Sequence, residues 1–503
     1  MSTQVLICGA GPTGLVLALW LTRQGVRVRI VDRLAEAGTT SRAVAVQART
    51  LELYTQLGLT DAVVAGGHKT PGVNLWVRGE RAARVGFEDV GEGLTLYSFL
   101  LTYPQDRHER LLIERLAQLG VEVEREVELA GFEASGARVQ ARLRRGDSEE
   151  VCDADFLVGC DGARSVVRKS LDAGFEGGTY RQLFYVADIE GDGAAMDGEL
   201  HIDLEEADFM AVFPLGGNGR ARLIGTVRDE RADAETLRWE DVSQRAIENL
   251  KLQVRQVNWF STYRVHHRVA ERFRWGRVFL LGDAAHIHSP AGGQGMNTGL
   301  GDAINLAWKL AMVLGGRAPD SLLDSFDEER RAFARRLVSS TDRAFTAATA
   351  EGWIADLVRT RLAPLLVPRV LAIEPLREFA FRTVAQITLN YRGMALSAGE
   401  AGKVKGGDRL PWVRAANNYG PLRQIGWQAH VYGKASAELA DTCARLGVRL
   451  HVFPWQAAHG EAGLAQDALY LLRPDTYVAL ADPKADPQAL AGYLSSRGLR
   501  PAD

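Results

Sequence analysis

The stretch that most constrains the fold lies at the start: QVLICGAGPTGLVLALWLTRQGVRVRIVDR, residues 4–33. An apolar run over residues 5–8 enters Gly9-Ala10-Gly11-Pro12-Thr13-Gly14, a helical pattern follows to Gln24, and a second apolar strand ends at Asp32. This is a βαβ unit of about 30 residues, half of a dinucleotide-binding fold. Gly9 permits the tight turn, Gly11 lets the backbone approach a pyrophosphate, and Gly14 lets the helix pack closely on the strand. Pro12 and Thr13 open a helix whose N-terminus faces phosphate charge. Asp32 follows the glycines by about 20 residues, where a carboxylate accepts from ribose hydroxyls and repels a 2'-phosphate, so the unit suits FAD or NAD better than NADP.

Two later stretches place an acid and glycines at a strand end again. In ADFLVGCDGARSVVRK an apolar strand ends in Gly159-Cys160-Asp161-Gly162, followed by Arg164, Ser165 and Arg168. In GRVFLLGDAAHIHSPAGGQGMNTGLGDAINLAWKL, residues 276–310, a buried strand ends in Gly282-Asp283 and a glycine-rich segment feeds a helix. Leu306, Leu310 and Val313 share one apolar face of that helix by i, i+4, i+7 spacing. His286 and His288 stand two apart in a loop with no third ligand nearby, which makes a poor metal site, so no metal is expected and His286 reads as a residue that fixes the loop. His266 and His267 read as strand alternation. No GxSxG occurs, so hydrolase chemistry is not expected.

Composition narrows the class. At 503 residues and 46% hydrophobic, the chain has the length of about three domains. Its net charge of -3, from 60 basic and 63 acidic residues, provides no bulk field for nucleic acid or an anionic membrane. The four cysteines, Cys8, Cys152, Cys160 and Cys443, form no CxxC pair, which argues against a disulfide framework, a thiolate zinc site and a dithiol centre. No apolar run reaches the roughly 18 residues of a membrane span. The apolar N-terminus reads as the first strand of the fold and not as a signal peptide, so a cytoplasmic location is expected.

Three motifs in this order and at these separations resemble the FAD-dependent aromatic hydroxylases, the single-component flavoprotein monooxygenases of the para-hydroxybenzoate and phenol hydroxylase type. The marks are the N-terminal GxGxxG, a DG motif matched by GCDGARSVVR, and a GD motif matched by GDAAHIHSPAGGQGMN. The resemblance runs from Met1 to about Leu337 and more weakly to the end. It implies an α/β fold: a Rossmann-type FAD-binding domain with an inserted, mostly antiparallel substrate sheet, a helical segment and a C-terminal thioredoxin-like domain. It further implies Gly9, Gly11, Pro12, Thr13 and Gly14 at the pyrophosphate, Asp32 and Arg33 near the adenosine, and Arg42 and Gln105 at the ribityl and phosphate region. Asp161 and Arg164 belong to the DG element, associated with both FAD and NADPH. Gly282 and Asp283 hold the ribityl chain, with Met296 and Asn297 against the flavin pyrimidine edge and Pro290 beside the substrate.

The opening of the GD helix then has a physical reading. Reduced flavin carries negative charge on its pyrimidine edge, and unpaired backbone N–H groups with the helix dipole stabilise it. Gly292, Gly293 and Gly295 let that backbone come close. Gly293 and Gly295 are therefore expected at the reacting centre, together with Pro290, which the resemblance places beside the substrate. The resemblance implies that NADPH or NADH binds transiently and reduces FAD, and that a flavin 4a-hydroperoxide hydroxylates a phenolic or polycyclic aromatic ring. A Baeyer-Villiger or epoxidising enzyme shares every cofactor motif. A halogenase lacks its WxWxI signature here, and a non-catalytic protein that sequesters an aromatic ligand is the alternative of another class.

Between the DG and GD motifs, YRQLFYVADIE, GELHIDL, FMAVFPL and ARLIGTVR alternate or run apolar between glycine-rich turns, which reads as an antiparallel sheet. Tyr185, Met210, Phe213 and Pro214 are the expected pocket lining, equally readable as sheet core, and Tyr185 and His201 are the candidates for a base. The expected division is residues 1–174 with 275–330 for FAD, 175–274 for the substrate sheet, 331–395 helical, 396–411 a linker, and 412–503 thioredoxin-like. Cys443 is the only cysteine of that last domain, which excludes thioredoxin activity. Monomer and homodimer both suit the chain.

Overall fold

The computed structural model describes residues 2–38, 43–204, 209–217, 219–227, 237–242, 244–289, 293–349 and 373–501. Strand Ser2–Cys8 runs parallel to Val28–Asp32 on one side and to Ser148–Gly159 on the other, and the latter runs parallel to Val278–Leu280. The register pairs Cys8 with Gly159 and Gly159 with Leu280. All three glycine loops therefore leave the sheet side by side at the carboxyl ends of their strands, where open α/β sheets bind ligands. Helix Pro12–Arg23 packs against helices Gly295–Leu314 and Gln105–Gln118. Leu15, Leu19 and Trp20 are fully buried there, each large aliphatic side chain contributing about 1.5–3 kcal/mol.

The second sheet has eight strands among the described residues, in the order His286–Ile287, Leu252–Ala270, Phe175–Gly193, Arg220–Val227, Phe209–Pro214, Leu200–Leu204, Gly72–Val77, Glu80–Gly86. Three of these come from the parts of the chain expected to belong wholly to the FAD unit: His286–Ile287 and the two strands of the Gly72–Gly86 hairpin. The Gly72–Gly86 hairpin joins because it extends the edge of Leu200–Leu204 in parallel. Its side chains find partners there: Asn74 Nδ2 donates to Glu199 Oε2 at 2.7 Å and Trp76 Nε1 to His201 Nδ1 at 2.8 Å. The boundary expected at residue 330 also falls inside a helix, Asp324–Thr349.

The C-terminal sheet corrects a second boundary. Residues 396–411, expected as a linker, carry strands Ala398–Ala401 and Val404–Lys405, and the first pairs in parallel with Val478–Asp482. The glycines there are tightly fitted: Gly399, inside the first strand, has φ +70 and a Cβ on it would strike the Ala481 carbonyl, and Gly402, in the turn between the two strands, has φ +63. The remaining strands are Leu469–Leu472, Gln428–Tyr432 and Arg449–Phe453, with helix Ala437–Leu446 against helix Pro487–Ser496. This sheet with its helices is the thioredoxin-like domain.

Candidate active site

One cavity of about 550 Å³ lies between the three glycine loops and the second sheet, within the range of about 300–1,000 Å³ typical of ligand pockets. Gly11, Pro12, Thr13, Gln105, Asp283, Gly293, Gly295 and Met296 line one side, and Phe213 lines the other. Three helices begin at it, Pro12–Arg23, Gln105–Gln118 and Gly295–Leu314, and in none does the N-cap side chain accept from the first-turn N–H groups. Those donors and three aligned dipoles present positive potential to whatever occupies the cavity.

The loops are held open by backbone fit. Gly9 takes φ +105, and a Cβ on it would collide with the Cys160 carbonyl, while one on Gly14 would strike the Gly9 carbonyl. A Cβ on Gly11 would meet nothing within 4 Å, so this glycine borders open space, as a backbone approached by a ligand does. Asp32 fixes the first loop by accepting from Ala10 N at 2.7 Å and Leu34 N at 2.9 Å. Arg33 beside it is exposed. Asp161 accepts from Val166 N at 2.7 Å and Val167 N at 3.2 Å and so shapes the DG loop. Arg164 is exposed and does not line the cavity. Arg168 ties the DG loop to the GD loop through the Ala163 and Ala284 carbonyls, at 2.7 and 2.8 Å.

Gly282 has φ +57, and a Cβ there would lie 2.8 Å from Thr13 Oγ1. Asp283, exposed, reaches the cavity lining. Asn297 has all its side-chain capacity committed: Oδ1 accepts from Gln47 N (2.9 Å) and Thr50 Oγ1 (2.8 Å), and Nδ2 donates to the Ala45 and Gly293 carbonyls (2.9 and 3.0 Å). It therefore fastens residues 45–50 to the start of the helix, and Met296, its neighbour, lines the cavity. Arg42 and Pro290 lie outside the described residues.

Apart from Phe213, which lines the cavity as expected, the wall on the sheet side was missed from sequence. Trp259, Ser261, Tyr263 and Val265 of strand Leu252–Ala270 line it at i, i+2 spacing, with Ile224 and Phe213 from neighbouring strands. The alternation was the available signal. Arg222, ion-paired to Asp188 at 2.7 Å, lies 5.6 Å from the Trp259 ring. Arg264 and His266 also border the cavity, so its sheet side carries polar as well as apolar groups.

Tyr185 and Met210 face the other way. Both register with Gly225, and they belong to a core with Trp76, Val212 and Leu223. Gly225 is the reason, because a Cβ there would overlap the Tyr185 ring. Side chains alternate faces along a strand, so Phe213 points to the cavity while Met210, three residues earlier, points to the core. Pro214 is buried, its carbonyl accepting from Thr102 Oγ1. His201 belongs with the core as well, accepting from Trp76 Nε1 and donating from Nε2 to Asp197 at 2.7 Å.

FAD fits this lining on three grounds: the open space over Gly11, the uncapped helix starts, and the polar atoms left over. Ser289 Oγ and His288 Nε2 are buried without a protein partner, and both residues line the cavity. His288 donates from Nδ1 to the Ser289 carbonyl at 2.8 Å, so Nε2 is left as an acceptor, and burial pushes its pKa down to about 4. Among the described residues, no group of three His, Cys, Asp or Glu is placed to hold a metal ion.

A dinucleotide cradle that opens onto an aromatic-walled sheet defines a flavin-dependent aromatic monooxygenase. A family model described as FAD binding domain matches residues 2–341, and the chain belongs to that family. It is 36% identical to the 6-methylpretetramide 4-monooxygenase of Streptomyces rimosus, over 99% of this chain and 94% of that one. The anhydrotetracycline hydroxylase OxyS of Streptomyces rimosus superposes with TM-score 0.79 at 28% identity, covering 100% of both chains. Aklavinone-11 hydroxylase, solved with FAD and aklavinone, gives 0.79 at 27% identity over 99% of each chain. The protein is thus an FAD-dependent monooxygenase of the aromatic-compound type.

Proposed function

We propose that the protein hydroxylates a fused-ring, polycyclic phenol lying between the glycine cradle and the sheet wall. The observation that carries this is the cavity bounded by Gly11, Gly293 and Gly295 on one side and by Trp259, Tyr263 and Phe213 on the other. Relatives named for 6-methylpretetramide, anhydrotetracycline and aklavinone support a polycyclic substrate over a single ring. When bound and reduced, FAD would activate dioxygen, which is the source of the inserted oxygen atom. The chain's residues do the rest. Gly11 and the helix starts at Pro12 and Gln105 hold the phosphates and ribityl chain. Asp283 accepts from ribityl hydroxyls, and the Gly293–Met296 backbone stabilises negative charge on the flavin ring.

Trp259 and Tyr263 stack on the flat substrate, and Phe213 with Ile224 keeps water from the reacting carbon. Asp161, which shapes the DG loop, serves the NAD(P)H side, while the exposed Arg33 and Arg164 contribute little to FAD affinity. The enzyme is proposed to be cytoplasmic and a monomer or homodimer without nucleic-acid partners. No helix among the described residues is long and apolar enough to cross a membrane.

The test is a panel of polycyclic and single-ring phenols, scored for NAD(P)H consumed, peroxide released and product formed. Polycyclic phenols should give coupled consumption with one added oxygen on the ring. Ring-expanded lactones or epoxides would replace hydroxylation with the sibling chemistry. Binding without any stimulation of NAD(P)H oxidation would leave a sequestering protein.

A further inference from the structure

Behind the GD loop lies a buried charge that sequence reading overlooked. Asp302, on helix Gly295–Leu314, is 0% exposed. Its Oδ2 accepts from Gly282 N at 3.0 Å and from His286 Nε2 at 2.7 Å, and its Oδ1 accepts from Arg330 Nε at 2.6 Å. One carboxylate thus clasps both ends of the turn that carries Asp283. Burial disfavours its charge, but Arg330 and His286 outweigh that and hold its pKa below the usual carboxylate range.

Arg330 does not act alone. Its Nη2 donates to the Thr298 carbonyl at 3.0 Å, and its Nη1 donates to Tyr391 OH at 2.9 Å. Tyr391 belongs structurally to the C-terminal side: its N–H donates to the Gly407 carbonyl, its ring lies 4.6 Å from that of Tyr477, and Arg473 sits 5.1 Å from it. Beneath this layer, Arg473 binds Glu329 at 2.6 Å, and Lys309 binds the same carboxylate at 2.9 Å. A continuous polar seam runs from the C-terminal domain to the loop that meets the cofactor.

We propose that Asp302 is a positioning residue for the flavin site: it sets the Gly282–His286 turn, and so aims Asp283, while the C-terminal domain holds it through Tyr391 and Arg330. A buried ion pair of this kind adds little net stability over an apolar replacement, and here its use is geometric. The C-terminal domain, which has no thioredoxin chemistry, is then part of the cofactor site although none of its described residues lines the cavity. The inference rests on FAD binding and is independent of the substrate reading, so its test uses no substrate.

The test compares full-length Asp302→Asn, Tyr391→Phe and Trp427→Phe. Trp427 is a control buried in the same interface, packing on Trp308 at 5.7 Å. For each, the FAD dissociation constant is read from flavin fluorescence on rebinding to apoprotein, the flavin midpoint potential by titration, and the thermal midpoint without FAD. Asp302→Asn should raise the dissociation constant about ten- to hundred-fold, the loss of charge-assisted hydrogen bonds, and shift the potential. Tyr391→Phe should raise it in the same direction, about three- to tenfold. Trp427→Phe should lower the thermal midpoint with affinity within about twofold of wild type. If Tyr391→Phe and Asp302→Asn move affinity no more than the control does for equal thermal loss, the proposal is wrong. Should Asp302→Asn fail to fold, Tyr391→Phe against the control decides alone.

Discussion

The two walls of the cavity are built by different means. On the cradle side the geometry is backbone: Gly9 and Gly14 sit where no side chain fits, and Gly11 borders open space. On the sheet side it is parity: residues 259, 261, 263 and 265 face the cavity, while Tyr185 and Met210 face a core. A glycine's role follows from its position in a local motif. A strand residue's role follows from which partner it registers with, often far along the chain.

The largest effect should come from filling the cradle. Gly11 has φ -74 and ψ 179, extended backbone that any residue adopts, so Gly11→Leu should leave the apoprotein's thermal midpoint within about 2 °C while weakening FAD more than about hundredfold. Fluorescence titration against apoprotein melting checks both halves. A lost midpoint would mean that this glycine, like Gly9, is structural. Next comes the wall. Met210→Ala should cost about 2–5 kcal/mol of stability in denaturant titration, with KM unchanged for the molecules that remain folded. Phe213→Ala should do the reverse, raising KM about tenfold with a much smaller loss of stability. If both variants behave alike, the two faces of the sheet are not separate in function.

Acid probes the core behind the cradle. His108, on the helix that begins with Gln105, bonds Tyr54 OH at 2.8 Å and is pushed down to about 4 by burial. The unfolded chain takes up that proton near pH 6.5, and the folded chain only near 4. Stability is therefore complete above about pH 6.5 and is lost as pH falls toward 4, by up to about 1.4 kcal/mol per pH unit. Thermal midpoints at pH 7 and 5 should show this fall, and His108→Phe should lessen it, the remainder coming from His288 and His430, which burial also pushes down. The smallest effect belongs to the exposed arginines: Arg164→Ala and Arg33→Ala should each change FAD affinity less than about threefold. A larger change in the same titration would place that arginine in direct contact with the cofactor.

Legibility followed the same division. The βαβ unit, the two later glycine loops and the thioredoxin-like tail could be read directly, because each depends on residues close in sequence. The borrowed hairpin Gly72–Gly86 could not, since its place is set by the edge of Leu200–Leu204 more than a hundred residues on. The expected linker failed for a subtler reason: glycine marks loose chain and tight turn alike, and only pairing with Val478–Asp482 distinguishes them. Asp302 was visible as a letter in GLGDAINL but not as a clasp, because Gly282, His286 and Arg330 reach it from 16 to 28 residues away.

Cys160 adds a matter of durability. Its carbonyl is what forbids a side chain on Gly9, and the residue also lines the cavity. Burial first, then the negative charges of Asp161 and Asp302, push its thiol well above the ordinary range. Peroxide oxidises thiolates and largely spares thiols. Held as the thiol, the sulfur in this lining stays in its less reactive form.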